Sequence, residues 1–297
     1  MAQVAANGIA IEYEESGARD APALLVINGL TCQLTWPTEG FYEGLAAAGF
    51  RVIRFDNRDI GRSTKLSGAG VPNIAAVRRQ LAAGERPTLP YTLDDMAEDA
   101  VGLLDALGVA RAHVVGFSMG GSIAQILAPA HPRRVASLVL MSATSNAPGL
   151  PPPPPEVAAV FTARPAKPGD RESVIDAAVA AKRTLGSRTL PTDEAVLRRA
   201  AARDIDRGID AAGLIRQSTA SFAGGSRAAL VATIAAPTLV IHGDEDPLRA
   251  PVHGEDLARR IPGARLAIIA GMGHDLPAPV VPDIVRMIAE HCRAAGV

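Results

Sequence analysis

Apolar and polar positions along this 297-residue chain follow two periods. Ile9 to Glu15 alternates, as a half-buried strand does. Ala23 to Ile27, Arg51 to Phe55, Ala112 to Val115, Val135 to Met141, Pro237 to Ile241 and Arg265 to Ile269 are short apolar runs, as expected of strands buried on both faces. Between them the spacing becomes helical. One helix is expected near Phe41 to Ala48, ended by Gly49. Another opens at the capped start Thr92-Leu93-Asp94-Asp95 and runs along Leu93, Met96, Ala100, Leu103, Leu104 and Leu107 to Gly108. A third follows Gly121 through Ile123, Ile126 and Leu127 to His131-Pro132, and others cover Val252 to Ile261 and Val281 to Arg293. This alternation predicts an α/β chain with a mostly parallel sheet and helices on both faces.

At Ser142 the pattern changes. Pro148 to Pro155 contains five consecutive prolines, which predict an extended segment because proline fixes φ and lacks an N–H. From Glu156 to about Arg227 the chain is rich in Ala and Arg, with helical spacing near Val157 to Phe161, Arg171 to Leu185, Asp193 to Arg203 and Ala211 to Phe222, and no strand signal. The expected division is a core of residues 1–144 and 228–297 with a helical cap, residues 145–227, over the functional end of the sheet. No internal repeat is visible.

Composition narrows the function. Hydrophobic residues make up 48%, enough for a substantial core, and the net charge of −1 leaves no basic footprint for nucleic acid or an anionic membrane. Residues 1 to 20 carry Glu12, Glu14, Glu15, Arg19 and Asp20 without a long apolar run, and no later segment has the length to span a bilayer. A cytoplasmic location is the expectation. Cys32 and Cys292 are the two cysteines, too far apart in sequence for a disulfide framework or a Cys-rich metal site. Both are expected to be free, with Cys32 sensitive to thiol reagents through a loop near the active site. No Walker sequence, dinucleotide fingerprint or metal cluster is present, so nothing calls for a cofactor or metal.

The candidate chemistry centres on Gly116-Phe117-Ser118-Met119-Gly120, between an apolar strand and a helical pattern. It fits the G-x-S-x-G elbow that presents a serine hydroxyl at the end of a sheet. The bland alternative is a Gly-rich connection with Ser118 as a helix N-cap. A serine needs a neighbouring base held by a third group. His274, in Gly271-Met272-Gly273-His274, follows one strand, and Asp244-Glu245-Asp246 follows the strand before it. Loops after parallel strands emerge on one edge of the sheet, so serine, acid and histidine converge there. Spacing does not choose among the three acids. Of the six histidines, His113, His131, His253 and His291 read as structural or solvated, and His242 precedes the acid.

The chain resembles the α/β-hydrolase superfamily over nearly its whole length, and looks most like esterases of the aclacinomycin methylesterase type. The residues carrying the resemblance are Asn28-Gly29 with Trp36-Pro37, Asp56-x-Arg58-x-x-Gly61-x-Ser63, the elbow, Asp246-Pro247 and Gly271-Met272-Gly273-His274. It implies a triad of Ser118, Asp246 and His274. It also implies oxyanion donors at the backbone N–H of Met119 and of Leu30, with Gly29 as the alternative to Leu30. Asp56 and Arg58 are expected to pair and brace the rim. Gly29, Trp36, Phe117, Phe161 and Phe222, with Leu185, Leu214 and Ile215, are the candidate pocket. The implied activity is hydrolysis of a small-molecule carboxylic ester through an acyl-enzyme. Amide, thioester or carbon–carbon hydrolysis and a small-molecule receptor remain as alternatives, and oligomeric state is not readable.

Overall fold

The computed structural model describes residues 1–37, 40–167 and 169–296. Its centre is an eight-stranded sheet: β1 (Ala2–Ala6), β2 (Ile9–Ser16), β3 (Ala23–Ile27), β4 (Arg51–Phe55), β5 (Ala112–Phe117), β6 (Val135–Met141), β7 (Thr238–Gly243) and β8 (Arg265–Ile269). The order across the sheet is β1-β2-β4-β3-β5-β6-β7-β8. The β1–β2 and β2–β4 pairs are antiparallel and all others parallel. All strands from β3 onward therefore point the same way, and the loops after β5, β7 and β8 leave the sheet on one edge.

Helices cover both faces. On one lie α3 (Leu93–Ala106), α4 (Met119–Ala130) and α10 (Val252–Arg260), burying Met96, Leu103, Leu104, Ile123, Leu127 and Leu257 against the sheet. The other is covered by α1 (Phe41–Ala47) and α11 (Val281–Ala294), whose Phe41, Leu45, Ile284 and Ile288 meet Val26, Val139 and Ile241. Each fully buried side chain of this kind contributes about 1.5–3 kcal/mol over exposure. The capping box expected at Thr92 is present, reciprocated by Asp95.

Between β6 and β7 the chain forms α5 (Pro155–Ala158), α6 (Arg171–Leu185), α7 (Glu194–Arg207), α8 (Ala211–Ala223) and α9 (Ala228–Val231). Pro151 to Pro154 carry no regular element, and Pro155 starts α5, where a missing N–H costs nothing. Several features depart from expectation. β1 and α2 (Ile74–Ala82) were not foreseen, and β5 continues to Phe117 because Gly116 and Phe117 still pair with Leu140 and Met141. Asp56 and Arg58 do not pair with each other. Arg58 turns to Asp99 of α3, with two contacts of 2.6 Å. Asp56 accepts from the Leu34 and Arg62 amides and from Arg207 Nη2 at the end of α7 (2.5 Å). Arg216 of α8 grips Asp59 in the same loop through two bonds of 2.8 Å.

Candidate active site

One residue, Ser118, separates β5 from α4. Its φ of 52° and ψ of −114° lie in a region that costs a side-chain-bearing residue about 1–3 kcal/mol. The close packing around it explains the glycines. A Cβ on Gly116 would stand 2.5 Å from Gly120 O, and one on Gly120 would stand 1.9 Å from Ile27 O. Ser118 holds the N-cap position of α4 but makes no side-chain cap. Its hydroxyl lies 2.9 Å from His274 Nε2 instead, which removes the ground for the bland alternative.

His274 Nδ1 lies 2.7 Å from Asp246 Oδ2. An ionised carboxylate only accepts, so Nδ1 carries the proton, Nε2 accepts, and Ser118 donates to it. Asp246 Oδ1 accepts from the Leu248 and Arg249 amides at 2.9 and 2.8 Å. Burial alone would raise the Asp246 carboxyl, yet the His274 imidazole and its bond, the His242 ring and the Arg249 amide hold it below the usual carboxylate range. The other two acids have separate tasks. Asp244 accepts from Gly271 N at 2.7 Å and joins the loops after β7 and β8. Glu245 accepts from the Arg188 and Thr189 amides and so fastens the segment after α6. The geometry thus separates three neighbours that spacing left equivalent.

That same segment holds the histidine loop. His274 N donates to Leu185 O at 2.8 Å, and Gly273 N donates to Ser187 Oγ at 2.8 Å. Ser187 Oγ in turn donates to Asp275 Oδ1 at 2.6 Å. Sequence reasoning missed Ser187 and Asp275, since no local pattern announces a contact 88 residues apart.

A cavity of about 600 Å³ opens beside Ser118 and His274. Gly29, Leu30, Trp36, Phe117, Phe161 and Phe222 line it, as does Met119. Leu185 lines it too, whereas Leu214 and Ile215 do not, because α8 turns Ser218, Ser221 and Phe222 to the cavity. Phe117 stacks between Trp36 and His274, with ring centroids 4.1 and 5.2 Å apart. A Cβ on Gly29 would meet Ser118 Cβ at 3.2 Å, so the loop after β3 crosses directly over the serine. Met119 is the first residue of α4, where an amide has no partner within the helix. Cys32, half-buried, also lines the cavity, and burial pushes its thiol up to about 12.

The remaining histidines have structural partners. His113 Nδ1 bonds Ser137, His131 pairs with Glu98, His253 Nδ1 bonds Thr144, and His291 reaches the carbonyls of Leu138 and Pro237. His242 packs behind Asp246, with Nε2 2.7 Å from Arg249 O. Among the described residues no group of three or more His, Cys, Asp or Glu side chains is arranged to hold a metal ion, and no helix is long and apolar enough to cross a membrane.

The family described as alpha/beta hydrolase fold matches residues 22–277. The chain is 34% identical to rhodomycin D methylesterase DauP of Streptomyces sp. (strain C5), covering 94% of this chain and 93% of that protein. It is 33% identical, at the same coverage, to rhodomycin D methylesterase DnrP of Streptomyces peucetius. Its fold is similar to that of a meta-cleavage product hydrolase from Pseudomonas fluorescens IP01, with a TM-score of 0.74, 20% identity and 100% and 98% of the two chains covered. At that identity the likeness concerns the fold alone.

Proposed function

The chain belongs to the α/β-hydrolase fold family, and from that premise we propose that it is a serine hydrolase cleaving carboxylic esters, methyl esters or those of small and medium acyl groups, through an acyl-enzyme. The observation carrying this reading is the continuous chain from Ser118 Oγ through His274 to Asp246, built on a serine that forgoes its helix cap. Similarity to two methylesterases over most of both chains supports an ester as substrate.

Ser118 attacks the ester carbonyl while His274 Nε2 takes its proton, and Asp246 holds the imidazolium that forms. The carbonyl oxygen, now negative, is stabilised by the backbone N–H groups of Met119 and Leu30, each worth about a hundredfold to a thousandfold in turnover. His274 returns the proton to the leaving alcohol. Water then attacks the acyl-enzyme with His274 again as base, releasing the acid and the free serine. The division into a core, residues 1–144 and 228–297, and a cap, residues 145–227, is part of this proposal. In it the cap closes the cavity and excludes water from the acyl-enzyme.

The test is hydrolysis of p-nitrophenyl esters of increasing acyl length by the wild-type protein and Ser118→Ala. The reading requires wild-type turnover that falls by about 10⁴–10⁶ in the variant with its melting temperature preserved. Equal rates in the two folded proteins would refute it.

A further inference from the structure

Five arginines are buried among the described residues, and four of them have a carboxylate: Arg51 with Glu15, Arg58 with Asp99, Arg207 with Asp56 and Arg216 with Asp59. The fifth, Arg227, is 5% exposed and bonds neutral acceptors alone. These are Gln125 Oε1 (3.1 Å), Gly225 O (3.3 Å), Ser122 Oγ (2.9 Å) and Thr144 O (3.0 Å). Asp94, the acid that acts on it, is exposed and makes no ion pair with it. Burial and the nearby Arg249 together pull the Arg227 guanidinium down to about 10.

Arg249, half-buried, lines the same cavity. No side-chain bond or ion pair engages it among the described residues, and the carboxylate acting on it is that of Asp246. Asp246 is already committed, through Oδ2 to His274 and through Oδ1 to two amides. Two guanidinium groups thus share one wall with no acid of their own. A desolvated charge without a counter-ion is costly, and the unengaged fork of Arg249 matches a carboxylate in shape as well as charge, with Arg227 adding its charge beside it. The rest of the cavity has the same imbalance. Arg78 and Lys182 also line it, against one carboxylate, Asp275, which Ser187 engages.

We propose that Arg249 and Arg227 form an anion subsite beside Ser118, and that the ester cleaved there carries a carboxylate. The proposal rests on the esterase reading and adds the class of substrate. Arg227 donates to Ser122 Oγ, about 6 Å of helix rise beyond Ser118, and Arg249 lines the same cavity as the nucleophile, so the subsite lies close to the scissile bond. A monoester of a short dicarboxylic acid has that reach.

The experiment compares kcat/KM for matched pairs that place the charge on either side of the scissile bond. One pair is mono-p-nitrophenyl glutarate and p-nitrophenyl valerate, and the other is 4-carboxyphenyl butyrate and 4-methylphenyl butyrate. Wild type is expected to favour the carboxylate of at least one pair by about tenfold or more, and Arg249→Gln to lower that ratio about tenfold, mainly through KM. Arg227→Lys, which keeps the charge, is expected to lower it less. No preference in either pair, or a ratio unchanged in Arg249→Gln, overturns the subsite while leaving esterase activity standing. If no ester is turned over, the esterase reading fails, and calorimetry of glutarate with Ser118→Ala decides the subsite alone. Binding that disappears in Ser118→Ala/Arg249→Gln upholds it, and absence of binding ends it.

Discussion

The turn at Ser118 and the helices between β6 and β7 are held by different kinds of contact. At the turn, backbone lies against backbone: Gly116 on Gly120, Gly120 on Ile27, Gly29 on the serine's own Cβ. The inserted helices have a small apolar centre of their own, Ile175, Val179 and Ala201, and are fastened to the sheet end by charge and hydrogen bonds. Arg207 on Asp56, Arg216 on Asp59 and Glu245 on the Arg188 and Thr189 amides are among the fastenings. A nucleophile needs its geometry fixed to a fraction of an ångström, which close packing supplies. A covering layer that shapes a pocket needs attachment, and side chains can provide it without fixing every backbone atom.

The largest effect is expected where packing leaves no room. Gly120→Ala puts a methyl group 1.9 Å from Ile27 O and should cost more than about 4 kcal/mol, read as a collapse of the melting temperature or as insoluble protein. Arg216→Met comes next. It leaves the Asp59 carboxylate buried without a counter-charge, and urea unfolding should register a loss of about 3–5 kcal/mol. The double replacement Arg216→Met/Asp59→Leu should recover much of it, since a buried pair contributes little over apolar side chains of similar size. Failure to recover would mean that the helices depend on that pair for more than charge neutralisation.

Ser187→Ala probes the junction of the two regions. Freeing the Gly273 amide and the Asp275 carboxylate should lower kcat about three- to tenfold, with KM for a neutral ester little changed and the melting temperature within a few degrees.

The weakest effect at neutral pH grows in acid. Burial depresses His113 to about 4 and also lowers His242, His253 and His291, all of which lie in the sheet or its flanking helices. The unfolded chain binds protons at these residues near pH 6.5 and the folded chain does not, so stability is complete above about 6.5 and declines toward 4. Residues 145–227 contain no histidine. Burial alone would raise Asp59, but its bonds to Arg216 and the Leu66 amide hold it lower than an ordinary carboxylate. Its contribution, present above the unfolded carboxylate value, is lost only as pH falls through that lower one. Unfolding of the wild type monitored between pH 7 and 4 should therefore track the frame, whereas in Arg216→Met the Asp59 carboxyl, no longer held low, takes up a proton in the folded state and the deficit relative to wild type should shrink as pH falls.

The frame was legible because its determinants are local. Glycines spaced around Ser118, apolar runs of strand length and the cap at Thr92 each carry their meaning within a few residues. Distance defeats such reading. The Asp56–Arg207 contact spans 151 residues, and nothing near Arg58 signals that it faces Asp99 rather than Asp56. The acid in 244–246 was left open by spacing because the choice depends on how the loop turns, and resemblance pointed to the residue that meets His274. α2 escaped because only Val77 of it is buried, although the cap of Asn73 on Ala76 was available as a signal. Arg227 and Arg249 carry no sequence mark, since the feature that sets them apart is the absence of an acid in three dimensions.

The central claim is that Ser118, activated by His274, is the nucleophile. The most direct measurement is covalent labelling with a fluorophosphonate, followed by peptide mass analysis of wild type, Ser118→Ala and His274→Ala. The account predicts one adduct, on the peptide bearing Ser118, absent in Ser118→Ala and formed about a thousandfold or more slowly in His274→Ala. An adduct on another residue, or labelling of Ser118 at an undiminished rate without His274, would contradict it.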